Sequence, residues 1–221
     1  MKTQNRLFYF GILPALGFQM LGAALYFLWD SSYSEGIYTL TKLTLVIWPL
    51  LWLKSFREIV SVKKRSAALS LGILSGLLMA GLILGAYALG LTPNGEAIAE
   101  KMTSFSLSSP QLYILFALFL SLIHSLLEEY YWRWFVFNGL QIKFSWIWAA
   151  IIGSAAFAGH HYFILSEFFP LWLTLILGTG VGVGGFIWCW IYKKTGSLWS
   201  VYLSHVCVDA ALMGIGYVVL F

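Results

Sequence analysis

Leu126-Leu127-Glu128-Glu129-Tyr130-Tyr131-Trp132-Arg133 sets two adjacent carboxylates and a guanidinium inside one of the most apolar parts of a very apolar chain. An ionised side chain at the centre of a bilayer costs roughly 2.5–3.5 kcal/mol on insertion scales. Such groups therefore face a protein interior or a wet cavity rather than lipid. Two acids with an arginine four residues on ask for more than helix packing, and the stretch reads as the core of an active site.

The composition around it agrees. Of 221 residues, 60% are hydrophobic and only 10% charged, against about 25% charged in a soluble domain. The expected fold is all-α, a polytopic transmembrane helical bundle in a single integral membrane domain. The net charge of +4 comes from Lys and Arg in short loops, so the expected surroundings are the lipid bilayer and no nucleic acid. Cys189 and Cys207 fall within apolar runs, which indicates neither a disulfide framework nor a Cys-rich metal site.

Roughly 20 apolar residues cross a bilayer, and seven segments qualify: 7–29, 37–53, 67–91, 111–139, 146–164, 171–192 and 197–220. The first is too long for a signal-peptide core and has no clear cleavage site, so it is expected to be retained. The connections alternate in charge. Lys2 and Arg6 precede the first span; Asp30 and Glu35 follow it. Lys54, Arg57, Lys63, Lys64 and Arg65, against Glu58, follow the second. Glu96, Glu100 and Lys101, with the turn Thr92-Pro93-Asn94-Gly95, follow the third; then come Lys143, Glu167 and Lys193-Lys194. The positive-inside rule then predicts a cytoplasmic N-terminus and an outside C-terminus. Lys42 is expected near the outer end of the second span, snorkelling to the interface. Trp188 and other aromatic residues near span ends read as interfacial anchors, although core packing accounts equally for part of the pattern.

Gly180, Gly182 and Gly185 match GxGxxG, but a dinucleotide site needs a preceding strand. Here the pairs Gly178/Gly182 and Gly180/Gly184 read instead as small residues permitting close helix contact.

All four histidines, His124, His160, His161 and His205, lie in the later spans together with Glu128, Glu129, Arg133 and Asp209. The expected division is therefore a three-span scaffold or gate, 1–110, and a four-span catalytic part, 111–221. Helical spacing pairs Glu129 with Arg133, Glu128 with His124, and His205 with Asp209, each i,i+4. Phe157 and His161 share a face, with His160 rotated off it. Counted at ~1.5 Å per residue from the inner boundaries, Glu128, His205, Asp209 and His161 lie at about 15, 12, 18 and 22 Å. One shared site near the middle of the bilayer accommodates all four.

Glu128-Glu129-xxx-Arg133, Phe157-xxx-His161 and His205-xxx-Asp209, in that order on separate late spans, resemble the EExxxR, FxxxH and HxxxN/D motifs of the CPBP family. These are CAAX proteases and bacteriocin-processing enzymes, also called Abi, which are intramembrane endopeptidases. The resemblance covers roughly residues 120–212. It implies a glutamic-type mechanism: Glu128 as general base for water, assisted by His161, with His205 stabilising the oxyanion and Asp209 positioning it. Glu129 and Arg133 would hold the helix, with His160 and His124 in support. No cofactor is expected to be obligatory; if zinc were used, Glu128, His161 and His205 would be its ligands. The expected partner is a peptide or protein with a membrane-associated cleavage segment. The expected location is a bacterial or archaeal cytoplasmic membrane.

Two other classes bear on the same residues. Buried Glu, His and Asp relays also mark proton- or ion-coupled transporters, but no paired broken helices in two related halves are visible. A non-catalytic scaffold would retain the fold without the chemistry. Serine and aspartyl intramembrane mechanisms are set aside: Gly72-Ile73-Leu74-Ser75-Gly76 has one residue too many for GxSG, and GxGD is missing.

Overall fold

The computed structural model describes residues 2–29, 33–59, 69–91, 95–104 and 107–221. Asp30, Lys63, Lys64, Arg65, Thr92, Pro93 and Asn94, and the side chain of Glu58, lie outside the described residues. All the regular structure described is helical: α1 Lys2–Leu28, α2 Ser34–Leu51, α3 Leu53–Ile59, α4 Leu69–Ala88, α5 Gly95–Ser104, α6 Pro110–Leu140, α7 Trp146–Ser166, α8 Leu171–Thr195 and α9 Leu198–Leu220.

Among the described residues six helices, α1, α4 and α6 to α9, are long and apolar enough to cross a membrane. The protein is an integral, multi-pass membrane protein. The segment expected as the second span forms α2, which has 18 residues and carries Glu35, Lys42 and three threonines; it is not one of the six.

Local chemistry sets several helix ends. Ser109 Oγ accepts from Leu112 N at 3.3 Å with Pro110 at the first helical position, satisfying a donor that a helix start leaves unpaired. α8 ends on Gly196 at φ 64°, a left-handed conformation that glycine adopts without steric cost. Ser197 Oγ then caps α9 by accepting from Ser200 N at 3.4 Å. With two residues between them, α8 and α9 must run antiparallel.

Contacts between connections define the two ends of the bundle. At one end Lys143 Nζ donates to Asn5 Oδ1 at 2.7 Å and Lys193 Nζ to Gln141 Oε1 at 2.8 Å. There α3 packs on the start of α1, and the Phe56 ring lies tilted at 4.5 Å from that of Trp134. At the other end Lys101 pairs with Glu167 at 2.7 Å and sits over the Phe27 ring. Helix α2 joins the two ends. Its Tyr38 ring lies 4.9 Å from Tyr26, and its Trp48 Nε1 donates to Gly11 O at 2.7 Å, so α2 runs antiparallel to α1.

The fully buried apolar side chains Leu7, Ile12, Phe56, Phe135, Leu140, Ile191 and Val201 all gather at the end that holds the N-terminus. Leu74, Leu78, Leu82, Leu115 and Leu171 are exposed, as suits a bundle whose solvent is lipid. Without a hydrophobic driving force between helices in lipid, close packing depends on small residues. Gly178, Gly182 and Gly185 of α8 receive Tyr162, Ala158 and Phe157 of α7, whereas Gly180 meets nothing within 4 Å. The tightest approach was not anticipated: Gly72 and Gly76 of α4 pack directly on the backbone of Ser200 and Ser204 in α9.

That approach leaves no room for a side chain. Gly72→Leu is expected to destabilise the bundle by about 1–3 kcal/mol, read as a lowered thermal midpoint in detergent. Gly85→Ala, at a position with open space around it, should leave the midpoint unchanged or slightly raised.

Candidate active site

Helix α6 carries the acids in a short α-helical stretch, Ser125–Glu129, between two π-helical stretches, Phe119–His124 and Tyr130–Phe137. Wider turns of this kind fall frequently at functional sites. Here they bracket the two carboxylates on both sides. Glu128 is 3% exposed, Glu129 0% and Arg133 1%, so all three charges must be settled inside the protein.

Glu129 is settled by two partners. Its Oε1 accepts from Arg133 Nη1 at 2.9 Å and from His205 Nδ1 at 2.7 Å. The guanidinium lies between two rings, 4.7 Å from the Phe157 centroid and 4.8 Å from that of Trp188, an arrangement favoured by the negative ring faces. Arg133 Nη2 also points at Gly185 O, 3.5 Å away. Trp188 covers His205 as well, nearly parallel at 4.2 Å. Its Nε1 donates to Ser204 Oγ at 2.9 Å, and that oxygen also accepts from Ser75 Oγ at 3.0 Å. The close α4–α9 contact thus ends in a hydrogen bond behind the histidine.

Glu128 is surrounded differently. Its Oε1 lies 3.3 Å from His124 Nε2 and 3.6 Å from His160 Nε2; its Oε2 lies 3.8 Å from His205 Nε2. His205 Nε2 also lies 3.5 Å from Asp209 Oδ1. Imidazoles from three helices therefore face one carboxylate.

The His160-His161 doublet splits by partner. His160 is buried, parallel to Trp132 at 6.3 Å, and supplies the nitrogen nearest Glu128 from α7. His161 Nδ1 donates to Phe157 O at 3.0 Å, which leaves Nε2 with its lone pair. The two rings are 4.0 Å apart, so His161 borders the same space.

The residues singled out in the sequence thus converge, with three differences of detail. Glu129, paired with Arg133 by spacing, also holds His205, more closely than Asp209 does. Trp188, read as an interfacial anchor, is buried between Arg133 and His205; apolar spacing carries no signal for that. Lys42, expected at the interface, lies within electrostatic range of Glu128.

Among the described residues Glu129 Oε2, Arg133 Nε, His160 Nδ1 and Trp132 Nε1 are buried without a hydrogen-bond partner. Such atoms each cost about 1–3 kcal/mol, and their gathering at one place fits a site kept for function. Among the described residues no three His, Cys, Asp or Glu side chains are grouped so as to hold a metal ion.

Removing one partner of a buried pair leaves an uncompensated charge. Arg133→Met is expected to cost roughly 3–5 kcal/mol of stability and Glu128→Gln clearly less, both measured by thermal unfolding of the purified protein in detergent.

Residues 110–211 match the family model of the type II CAAX prenyl endopeptidase Rce1-like proteins. The matched stretch is α6 to most of α9 and contains every acid and imidazole of the cluster. No curated protein and no solved structure matches the chain. Over residues 110–211 the chain is accordingly similar to the Rce1-like CAAX endopeptidases, which agrees with the CPBP protease family that its motifs resemble.

Proposed function

We propose that this chain is an intramembrane endopeptidase in which Glu128 activates the attacking water. The observation that carries this reading is a buried carboxylate faced by three imidazole nitrogens at 3.3, 3.6 and 3.8 Å, drawn from three helices. General bases act on a water within hydrogen-bond reach, and histidines nearby can relay or share its proton.

In the proposed step the water oxygen bonds to the scissile carbonyl carbon while Glu128 takes a water proton, assisted by His161 with His160 and His124 beside them. His205 Nε2 stabilises the resulting oxyanion. The proton then passes to the leaving nitrogen, and the C–N bond breaks. Glu129 fixes the His205 ring through Nδ1, Asp209 flanks Nε2, and Arg133 holds Glu129. The substrate is a peptide or protein whose cleavage segment lies in or on the membrane. The cycle balances without a metal, and none is proposed as obligatory.

We also propose that α2 is a crossing, giving seven in all, with the N-terminus cytoplasmic and the C-terminus outside. Lys54 and Arg57 at its far end sit near α1, together with Lys143 and Lys193, as one cytoplasmic face requires. On this reading α1, α2 and α4 form the scaffold and wall of the site.

Two experiments test these readings. Comparison of membrane-protein termini in cells with wild-type or Glu128→Ala protein should reveal a cleavage that vanishes in the variant; identical termini sink the peptidase reading. On the substrate so identified, His205→Ala should lower kcat by about 10²–10³-fold, and a chelator should leave the wild-type rate unchanged. For topology, Thr3→Cys and Phe221→Cys, each in a chain with Cys189 and Cys207 replaced by Ala, should label from opposite sides of sealed vesicles. Labelling from one side would return the count to six.

A further inference from the structure

Lys42 is the cation that the proposed mechanism leaves unused. Its place is fixed by contacts among α1, α2 and α7. Gln19 Nε2 donates to Thr41 O at 2.7 Å, and Gly22 receives the Thr41 side chain. On the other side of α1, Gly159 faces Met20 Sδ, a Cβ there lying 3.0 Å from the sulfur. Thr41 and Lys42 therefore share a layer with Gly159 and His160, level with the imidazole cluster. Lys42 lies within electrostatic range of Glu128, His160 and His161.

The other charges in this layer have closer partners. Arg133 is taken by Glu129, and Glu128 is flanked by His124, His160 and His205. Asp209 lies beside His205. Among the described residues the Lys42 ammonium has no hydrogen bond or ion pair; its contact is the face of Tyr38, with Nζ 5.2 Å from the ring centroid. A ring face partly offsets desolvation of a cation, but an ammonium inside a membrane bundle is costly and marks function. Lysine also presents a compact charge on a flexible stem, suited to meeting an anion that arrives.

We propose that Lys42 binds a carboxylate of the substrate, so that this enzyme selects peptides bearing a free carboxylate close to the scissile bond. The carboxylate is either the C-terminal one of a short tail or that of an Asp or Glu side chain. The inference rests on the peptidase reading for its substrate but not for the binding itself. It assigns a specificity role to a helix outside the family-matched stretch.

The test uses full-length protein in nanodiscs and an N-palmitoylated apolar pentapeptide in three forms: free C-terminal acid, C-terminal amide, and amide with an internal Glu. Affinity is measured by competition against a fluorescent version of the acid. Wild type should bind a carboxylate-bearing form at least about tenfold more tightly than the plain amide, the size expected for one charge-assisted contact. Preference for the terminal acid or for the internal Glu form identifies the source. Lys42→Met should bring the ratio to near one, and Lys42→Arg should keep most of it. Each ratio is taken within one variant, so loss of folded protein cancels.

Equal binding of all three forms by wild type, or a preference that survives in Lys42→Met, overturns the proposal. Cleavage separates it from the peptidase reading. A wild-type chain that cleaves acid and amide equally, with Lys42→Met slowing both alike, makes Lys42 an aid to the oxyanion or to Glu128 and removes the carboxylate site. A chain that binds the acid selectively and never cuts it, nor any cellular substrate, keeps the site and loses the hydrolysis.

Discussion

The Glu129 carboxylate is fully buried inside this bundle, and what matches its charge fixes four helices at once. Arg133 comes from the same helix, four residues on, and His205 comes from α9 at 2.7 Å. The guanidinium in turn needs Phe157 from α7 and Trp188 from α8 as walls. One buried charge therefore sets the spacing of α6, α7, α8 and α9. It also aims the second nitrogen of His205 at Glu128, so both carboxylates meet on a single ring.

The helices outside the family-matched stretch complete this arrangement. Gly72 and Gly76 bring α4 onto the backbone of α9, which delivers Ser75 to Ser204 and braces Trp188 from behind. Tyr131 of α6 donates to Ala15 O in α1 at 2.7 Å, and Met20 of α1 lies against Gly159 beside His160. Lipid exerts little pressure toward packing, since its tails are as apolar as leucine. Small residues and these few inter-helix hydrogen bonds therefore hold α1 and α4 against the family-matched helices.

Much of this was legible in the sequence, for a definite reason. A membrane makes ionisable residues expensive, so Glu128, Glu129, Arg133, His161, His205 and Asp209 stood out against apolar surroundings, and i,i+4 spacing already paired Glu129 with Arg133. The long helices followed from run length. What was not legible depends on which helices touch. Trp188 has the same apolar context as Trp190, yet the first is buried under His205 and the second is exposed. Gly72 and Gly76 looked like any glycines of an apolar span until α9 was laid on them. Lys42 could snorkel or turn inward, and only the packing of α1 against α2 and α7 decides. The π-helical turns that flank Glu128 and Glu129 have no marker in the residues themselves, and the different neighbours of His160 and His161 follow from where Trp132 and Phe157 place the rings.

Adjacent carboxylates differ here because their counter-charges differ in kind. Successive residues on a helix point about 100° apart, so Glu128 and Glu129 meet separate neighbourhoods despite sharing a backbone. Glu129 meets a guanidinium, a fixed cation, through the single contact of Nη1 with Oε1 at 2.9 Å. Glu128 meets imidazoles instead, which approach it no closer than 3.3 Å. Had the arginine fallen one residue earlier, at Trp132, the guanidinium would stand four residues from Glu128 instead. The one-residue offset between the acids and their arginine leaves one carboxylate bound by a guanidinium and the other faced by imidazoles.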